Sequence, residues 1–233
     1  MKKVSGPGSS SRRDERKAAK ARGSAVKILA GRWKGRRLEI PAGARPTSSR
    51  AREALFDILQ CRVPNSRVLD LYAGSGAVGL EAVSRGAERA VLVERNVRAL
   101  ERNVARLAPA PGKVRVLRAD AGSGVASLAK EGILFDLVFA DPPYGERADV
   151  GTGVAGILAA DGLFVLQGDS GSRVGEPRGL EHVRREAYGR NVFDFFGHSQ
   201  GAGRGGPSRV LTTESENASV SGFDRPAPSA SKE

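Results

Sequence analysis

From residue 67 to residue 167, short apolar runs alternate with stretches in which apolar residues recur at helical spacing. A run that is apolar throughout is typical of a strand buried on both faces, whereas recurrence every three or four residues is typical of an amphipathic helix. Strands that alternate with helices form parallel sheets joined by right-handed crossovers. This region therefore predicts an α/β fold with an open, mostly parallel sheet.

The alternation assigns each segment of this region to an element. Strands are predicted at Val68–Tyr72, Arg89–Glu94, Val114–Arg118, Asp136–Ala140 and Leu163–Gln167, and helices at Ala77–Ser84, Asn96–Leu107, Gly124–Lys130 and Ala148–Ala159. Glycines interrupt the last helix and lower its helix propensity. Beyond it, Glu181–Tyr188 and Asn191–Gly197 flank a turn at Gly189, which predicts two strands that add an antiparallel edge.

A smaller unit is predicted before residue 67. Val26–Ala30 and Arg36–Ile40 are strand-like runs joined by the sequence GRWKG, which predicts a β-hairpin with a basic, aromatic tip. Thr47 is the predicted N-cap of a following helix. Apolar spacing gives this helix one buried face, made of Ala51, Ala54, Leu55, Ile58 and Leu59. The residues off or beside that face are Arg50, Arg52 and Glu53.

Positive charge is concentrated at the start of the chain. Residues 1–60 carry 16 Lys and Arg against 5 Asp and Glu, whereas residues 61–233 carry 22 against 21. Such a segment favours a polyanionic partner, most simply nucleic acid. For residues 2–22 a solvated tail is the equal alternative, but the charges of Lys27–Arg52 lie on segments that are predicted to fold.

Several classes of protein are excluded by what the sequence lacks. No run of about 18 apolar residues predicts a transmembrane helix, and no apolar stretch near residue 1 predicts a secretory signal, so we expect no membrane partner. A single cysteine, Cys61, forms no intrachain disulfide, which fits a reducing compartment and a cytoplasmic location. His182 and His198 belong to no metal-ligand pattern, so no metal site is predicted.

The strand at Val68–Tyr72 leads into a glycine motif at the point where ligands bind in open α/β sheets. Gly74, Gly76 and Gly79 satisfy G-x-G-x-x-G, which is also the dinucleotide fingerprint and can equally be a glycine-rich turn. Asp70 favours another ligand, because a carboxylate there would repel a pyrophosphate. It suits a ligand with an amino group and a positive charge, such as the methionine part of S-adenosylmethionine.

Two further carboxylates follow the next two strands. Glu94 ends the second strand and can accept hydrogen bonds from both hydroxyls of a ribose, or it can be a solvated acid. Asp120 follows the third strand and can accept from an adenine amino group, or it can be the N-cap of the next helix. Both roles are compatible for Asp120.

The sequence Asp141-Pro142-Pro143-Tyr144 follows the fourth strand. The two prolines stiffen the loop and remove backbone donors, which leaves the carbonyl before Pro143 able to accept a hydrogen bond. With the Asp141 carboxylate, this carbonyl can hold the two N–H groups of a base amino group. Tyr144 offers a face on which a base can stack. A plain proline turn after a strand is the alternative.

Taken in order, Asp70–Gly76 and Asp141–Tyr144 resemble class I amino-group methyltransferases. The N-terminal stretches LAGRWKGRRL at 29–38 and RPTSSRAREALFDIL at 45–59 resemble the RsmD family. Its members are bacterial 16S rRNA guanine-N2 methyltransferases, and the resemblance covers about residues 26–197. It implies a Rossmann-like class I methyltransferase fold, with a small N-terminal hairpin and helix added to the sheet.

The resemblance also implies a role for each motif. S-adenosylmethionine would be bound by Asp70, Tyr72, Gly74, Gly76, Glu94 and Asp120, and the target guanine by Asp141, Pro142, Pro143 and Tyr144. RNA would contact Arg32, Trp33, Lys34, Arg36, Arg37, Arg45, Thr47 and Arg50. The partner would be 16S rRNA within the small ribosomal subunit, and the protein would be a monomer.

The chain is then expected to have four parts. These are a disordered basic tail at 1–23, an RNA-facing hairpin and helix at 24–66, a cofactor-binding catalytic domain at 67–198 and a disordered tail at 199–233. The expected reaction is direct transfer to a base drawn out of its stack. The alternatives are a DNA adenine-N6 methyltransferase, a nicotinamide-dependent oxidoreductase and a non-catalytic ribosome-assembly factor that binds RNA.

Overall fold

The computed structural model describes residues 26–43, 47–143, 153–171 and 177–199. The predicted tails at 1–23 and, from residue 200, at 199–233 lie outside these ranges. So do the predicted site residues Arg45 and Tyr144 and the first part of the predicted helix Ala148–Ala159.

The described residues form a seven-stranded sheet and a separate two-stranded hairpin. The strands are β1 (Val26–Lys27), β2 (Arg37–Leu38), β3 (Arg67–Leu71), β4 (Arg89–Glu94), β5 (Val114–Arg118), β6 (Phe135–Ala140), β7 (Leu158–Asp169), β8 (Glu181–Tyr188) and β9 (Asn191–Gly197). The order in the large sheet is β5-β4-β3-β6-β7-β9-β8, in which β5 to β7 are parallel and β9 and β8 pair antiparallel. The predicted open sheet with an antiparallel edge is confirmed.

Helices cover both faces of this sheet. They are α1 (Ser49–Ile58), α2 (Ala77–Ser84), α3 (Arg98–Leu107) and α4 (Ala121–Lys130), followed by a 3₁₀ helix at Val154–Ile157. Because side chains alternate along a strand, Val68 packs with α1, α2 and α3, whereas Leu69 packs with α4 and the 3₁₀ helix. None of the described helices is long and apolar enough to cross a bilayer.

The chain before β7 differs from its prediction. The described part of the predicted helix Ala148–Ala159 is one turn of 3₁₀ helix, and the strand begins already at Leu158. The glycines at 151, 153 and 156 explain the difference, because each costs about 1 kcal/mol relative to alanine in a helix. Gly153 also has φ +80°, a left-handed conformation that does not occur inside an α-helix.

The N-terminal hairpin is held against α2 by a buried acid. Glu81 is fully buried and accepts the backbone N–H groups of Leu29 (2.7 Å) and Ala30 (2.9 Å). Trp33, the aromatic residue of the predicted tip, is only 7% exposed and belongs to the hydrophobic core. Its backbone N–H donates to Ser84 Oγ at 2.9 Å, which turns the indole toward the protein rather than toward solvent.

Arg52, which the sequence placed off or beside the buried face of α1, is also buried. Its side chain is fully buried on the core face of α1, and its Nη2 donates to the Lys27 carbonyl (2.9 Å). Burial lowers the pKa of Arg52, while the nearby Glu81 carboxylate raises it. The predicted face of α1 is therefore correct at Ala51 and Leu55, but it also includes this arginine as a tie to the hairpin.

The close packing of Gly31 against the end of α2 allows the docking of the hairpin on this helix to be tested. Gly31 has φ +76°, and a Cβ there would lie 1.8 Å from the Ser84 carbonyl oxygen. Gly35 has φ +82° with nothing within 4 Å of a Cβ, so it is a matched control. Gly35→Ala should cost about 1–2 kcal/mol from the left-handed backbone alone. Gly31→Ala should cost at least about 2 kcal/mol more, measured by urea unfolding, and equal costs would contradict this docking.

Candidate active site

A cleft of ≈ 840 Å³ opens at the carboxyl ends of the parallel strands. It lies where the strand order reverses, since β3 is flanked by β4 on one side and by β6 on the other. This is the position at which open α/β sheets bind ligands. The cleft is lined by the loops after β3, β4, β5 and β6, by the end of β7, by the turn between β8 and β9, and by the chain that follows the N-terminal hairpin.

Asp70 forms the floor of the cleft beneath the glycine motif. It is 2% exposed, and its Oδ2 accepts the backbone N–H of Gly79 at 2.9 Å. A Cβ on Gly79 would lie 2.0 Å from Leu92, so this glycine lets α2 pack close to the sheet. The spacing of Asp70 and Gly79 thus follows from a contact between a strand end and the first turn of a helix.

Glu94 holds the glycine loop from the neighbouring strand. Its Oε2 accepts the N–H of Gly74 (2.8 Å), and its Oε1 accepts the N–H of Asn96 (2.9 Å). Each carboxylate oxygen can accept a second hydrogen bond, so this does not prevent Glu94 from binding a ribose. Tyr72, at φ +61°, and Gly74, at φ +55°, take left-handed backbone conformations, which for the tyrosine is a strained position of the kind that clusters at functional sites.

Three carboxylates of the cleft interact electrostatically. Burial, together with the smaller effects of the Asp141 and Glu94 charges, raises the pKa of Asp70 to about 7, although the hydrogen bond from Gly79 lowers it. Asp70 therefore carries a proton at pH values below about 7. A cation bound at this position would allow the carboxylate to ionise, so the site is chemically suited to a positively charged ligand.

Asp120 is the N-cap of α4. Its Oδ1 accepts the Ser123 backbone N–H (2.9 Å) and its Oδ2 accepts the Ser123 hydroxyl (2.8 Å), and these bonds lower its pKa. Asp120 is therefore an N-cap, which is one of the two roles that the sequence allowed. Asp120 also lines the cleft, beside Ala119 and Ala121, so it can still contact a ligand.

Asp141 follows β6 and faces a residue from the N-terminal unit. Thr47 Oγ1 lies 3.0 Å from Asp141 Oδ2, and Thr47 is half-buried. The prediction that Thr47 caps α1 is wrong, because the cap is Ser48, whose Oγ accepts the Ala51 N–H at 3.1 Å. The Thr47 side chain is instead part of the cleft. Pro142 is buried and Pro143 is exposed at its rim.

Asn103 joins the N-terminal unit to the glycine loop. It is fully buried in α3, its Oδ1 accepts the Glu39 N–H (2.8 Å), and its Nδ2 donates to the carbonyls of Glu39 and Ser75 (2.9 Å each). Immediately after Glu39, Ile40 and Pro41 line the cleft. One wall of the cleft therefore depends on a buried amide that sequence reasoning did not identify.

Gln167, Arg190 and Asn191 also line the cleft, and none of them was assigned to the site from the sequence. Gln167 is 5% exposed, and its Nε2 donates to Asn191 Oδ1 at 3.3 Å. The available signal was a glutamine at the end of an otherwise apolar strand, since buried amides are uncommon. Pairing of β7 with β9 then brings Gln167 close to Asn191 and Arg190.

The residues predicted to contact RNA differ in how far the structure exposes them. Arg32, Lys34, Arg36, Arg37 and Arg50 are exposed. Trp33 is buried and Thr47 lies in the cleft, while Arg45 is outside the described residues. Arg36 and Arg37 adjoin the end of α3, because Arg36 Nη2 donates to the Arg106 carbonyl (2.9 Å) and Arg106 Nη1 to the Arg37 carbonyl (3.3 Å).

Comparison with known families shows which family the chain belongs to. The model of a family described as "Conserved hypothetical protein 95" matches residues 26–197, the stretch that contains both the N-terminal unit and the cleft. The chain belongs to this family. It is the RsmD family that the N-terminal motifs resemble, so that prediction is confirmed.

Individual RsmD-family relatives support the assignment. "Ribosomal RNA small subunit methyltransferase D" of Escherichia coli K12 is 39% identical over 122 residues, which are 51% of this chain and 60% of the relative. YlbH of Bacillus subtilis is 32% identical over 173 residues, which are 70% of this chain and 94% of the relative. The chain thus matches less than two thirds of the Escherichia coli protein but nearly all of YlbH.

A solved structure agrees with the sequence relatives. The hypothetical protein TTHA0928 of Thermus thermophilus is 38% identical to this chain, with a TM-score of 0.64, and the match covers 73% of this chain and 98% of that one. The class I methyltransferase fold predicted for the RsmD resemblance is therefore confirmed.

Proposed function

We propose that this chain uses S-adenosylmethionine to methylate the exocyclic N2 amino group of a guanine in 16S rRNA. One observation carries the proposal: Asp141, at the end of β6, shares a single cleft with the glycine loop, Asp70 and Glu94. A methyl-donor site and an acceptor for amino protons thus lie side by side. The relative named for rRNA methylation supports the class of substrate.

The cofactor fits the charges and shape of the cleft. Asp70 would face the methionine end, where its ionised carboxylate balances a positive charge. Glu94 would hold the ribose and Asp120 the adenine, in the order in which β3, β4 and β5 lie in the sheet. The backbone of Tyr72, Gly74 and Gly76, at positive φ, would allow the ligand to approach closely.

The protein's part in the reaction is to orient an amine. S-adenosylmethionine supplies a methyl group on a positively charged sulfur. Asp141 and the Pro142 carbonyl would accept hydrogen bonds from the two amino N–H groups of the target base and direct the nitrogen lone pair toward that methyl. The new N–C bond forms as the S–C bond breaks, and the proton lost from nitrogen passes to Asp141 or to water.

The exposed arginines and lysine of the hairpin would bind the phosphates around the target. The side chains concerned are Arg32, Lys34, Arg36 and Arg37. The chain that follows them reaches the cleft at Ile40 and Pro41, so an RNA strand bound by the hairpin would lie next to the cleft. Phosphate contacts of this kind fix the position of the RNA rather than its sequence.

The first test is transfer of labelled methyl groups to three acceptors: undermethylated small ribosomal subunits, naked 16S rRNA and DNA. We expect label in rRNA as N2-methylguanine, and the ratio of particle to naked RNA identifies the true substrate. Label in DNA alone would replace the proposal with an adenine-N6 methyltransferase. Cofactor binding without transfer to any acceptor would favour the assembly-factor alternative.

Cofactor affinity should depend on pH through Asp70. Burial of its side chain raises its pKa to about 7, and a cation beside it requires the ionised form. Affinity for S-adenosylmethionine, measured by calorimetry, should therefore fall as pH is lowered from about 7.5 to about 5.5, approaching tenfold per pH unit below the pKa. Asp70→Asn should bind more weakly at the higher pH with a nearly flat profile. Equal slopes in both proteins would exclude Asp70 as the linked group.

A further inference from the structure

Four polar side chains form a hydrogen-bonded row along one wall of the cleft. Thr47 Oγ1 lies 3.0 Å from Asp141 Oδ2 and 3.3 Å from Gln167 Oε1, and Gln167 Nε2 lies 3.3 Å from Asn191 Oδ1. The register of the sheet explains the arrangement. Ala140 of β6 pairs with Leu166 of β7, so the next residue of each strand, Asp141 and Gln167, are neighbours.

The Thr47 hydroxyl cannot satisfy both of its neighbours. A hydroxyl has one proton to donate, whereas Asp141 Oδ2 and Gln167 Oε1 are both acceptors. The shorter contact and the negative charge direct that proton to Asp141. Gln167 Oε1 therefore still requires a donor, in a residue that is only 5% exposed.

The Gln167 amide is oriented with its nitrogen toward Asn191. Its Nε2 faces the Oδ1 of Asn191, so its carbonyl oxygen is the atom that faces Thr47 and Asp141. A base entering the cleft thus meets two neighbouring acceptors, the Asp141 carboxylate and the Gln167 carbonyl. The complementary ligand presents two adjacent N–H donors.

We propose that Gln167 selects guanine as the target base by accepting a hydrogen bond from its N1–H while Asp141 accepts from its N2 amino group. Guanine carries these two donors side by side. In adenine and cytosine the atom next to the amino group is an unprotonated ring nitrogen, which would face the Gln167 oxygen as acceptor against acceptor. This inference rests on the proposed function and adds the residue that determines the base.

The probe is 2-aminopurine, which keeps the amino group of guanine but has no proton on N1. It is placed in the substrate RNA at the guanine that the labelling experiment identifies. We expect the wild-type protein to prefer guanine over 2-aminopurine by about a hundredfold in kcat/KM, the discrimination that a specific base-edge contact supplies. Equal kcat/KM values for the two bases in the wild-type protein would overturn the inference without any variant.

Two variants of Gln167 then test whether this residue sets the preference for guanine. Gln167→Met keeps the length of the side chain without its hydrogen bonds, and we expect the preference to fall below about fivefold, through loss on guanine. Gln167→Glu keeps an acceptor and should keep the preference. A purely structural defect would lower both substrates together and leave their ratio unchanged, and that result would overturn the inference. If the wild-type protein makes no N2-methylguanine at all, the proposed function itself fails.

Discussion

Replacing Asp141 with alanine is expected to lower kcat for methyl transfer by about a thousandfold, within the range that proton transfer and orientation by one side chain supply. The Kd for S-adenosylmethionine should change little, because the residues assigned to the cofactor lie at the ends of β3, β4 and β5 or just after them, whereas Asp141 follows β6. Single-turnover transfer to small ribosomal subunits and calorimetric titration of the cofactor measure the two quantities separately. Turnover that survives in the alanine variant would show that Asp141 has been wrongly assigned.

Two further variants separate the tasks of this carboxylate. Asp141→Asn keeps one acceptor oxygen but cannot take a proton, so recovery to within about tenfold of wild type would assign orientation alone to Asp141. Thr47→Val removes the hydroxyl 3.0 Å from Asp141 Oδ2 while leaving the carboxylate in place. We expect an intermediate loss of kcat, because Asp141 would then be held less firmly.

The parts of the fold that the sequence predicted well are those that local patterns determine. The bounds of β4, β5, β8 and β9 agree with their predictions, because turn residues enclose each of these apolar or alternating runs. Gly189, with φ +63°, forms the turn expected of it. The positions of Asp70, Glu94 and Asp141 at strand ends likewise follow from counting along strands and placing their carboxyl ends at one edge.

The incorrect predictions concern residues whose position is decided by contacts between segments that are distant in the chain. Thr47, Ser48 and Ser49 are three successive residues of capping type, and local rules do not rank them. The choice is made by a hydrogen bond from Thr47 to Asp141, 94 residues later in the chain. Arg52 is buried for a similar reason, because the Lys27 carbonyl accepts a hydrogen bond from it and the Glu81 carboxylate lies near its positive charge.

Contacts between distant segments also decide the positions of Trp33, which is buried in the core, and of Gln167, which lies in the cleft. The basic neighbours of Trp33 led to the prediction that it contacts RNA, but its backbone N–H donates to Ser84 on α2 and its indole packs in the core. Gln167 looked like the end of an apolar strand, and only the pairing of β7 with β6 and β9 shows that it lies between Asp141 and Asn191. Which side chains line the cleft thus depends on sheet register, which a single sequence specifies only indirectly.

Replacing Asn103 with alanine is expected to damage both stability and cofactor binding. It would leave the Glu39 N–H and the carbonyls of Glu39 and Ser75 without their partner, at a cost of about 2–4 kcal/mol in unfolding free energy. The Kd for S-adenosylmethionine should rise at least about tenfold, because Ser75 lies in the glycine loop that lines the cleft. Urea unfolding and calorimetry well below the unfolding temperature measure the two effects.

Arg102→Ala is the matched control for Asn103→Ala, since both residues lie on α3 and both contact Glu39. The Arg102 side chain is 56% exposed, and exposed ion pairs contribute little to stability, so its loss should leave the unfolding midpoint and the cofactor affinity nearly unchanged. The difference between the two variants isolates the buried amide. If the Asn103 variant binds the cofactor as tightly as wild type while fully folded, the N-terminal unit is attached to the cleft without shaping it. If affinity falls as expected, RNA bound by the hairpin and cofactor bound by the glycine loop share one rigid link, and each should tighten the binding of the other.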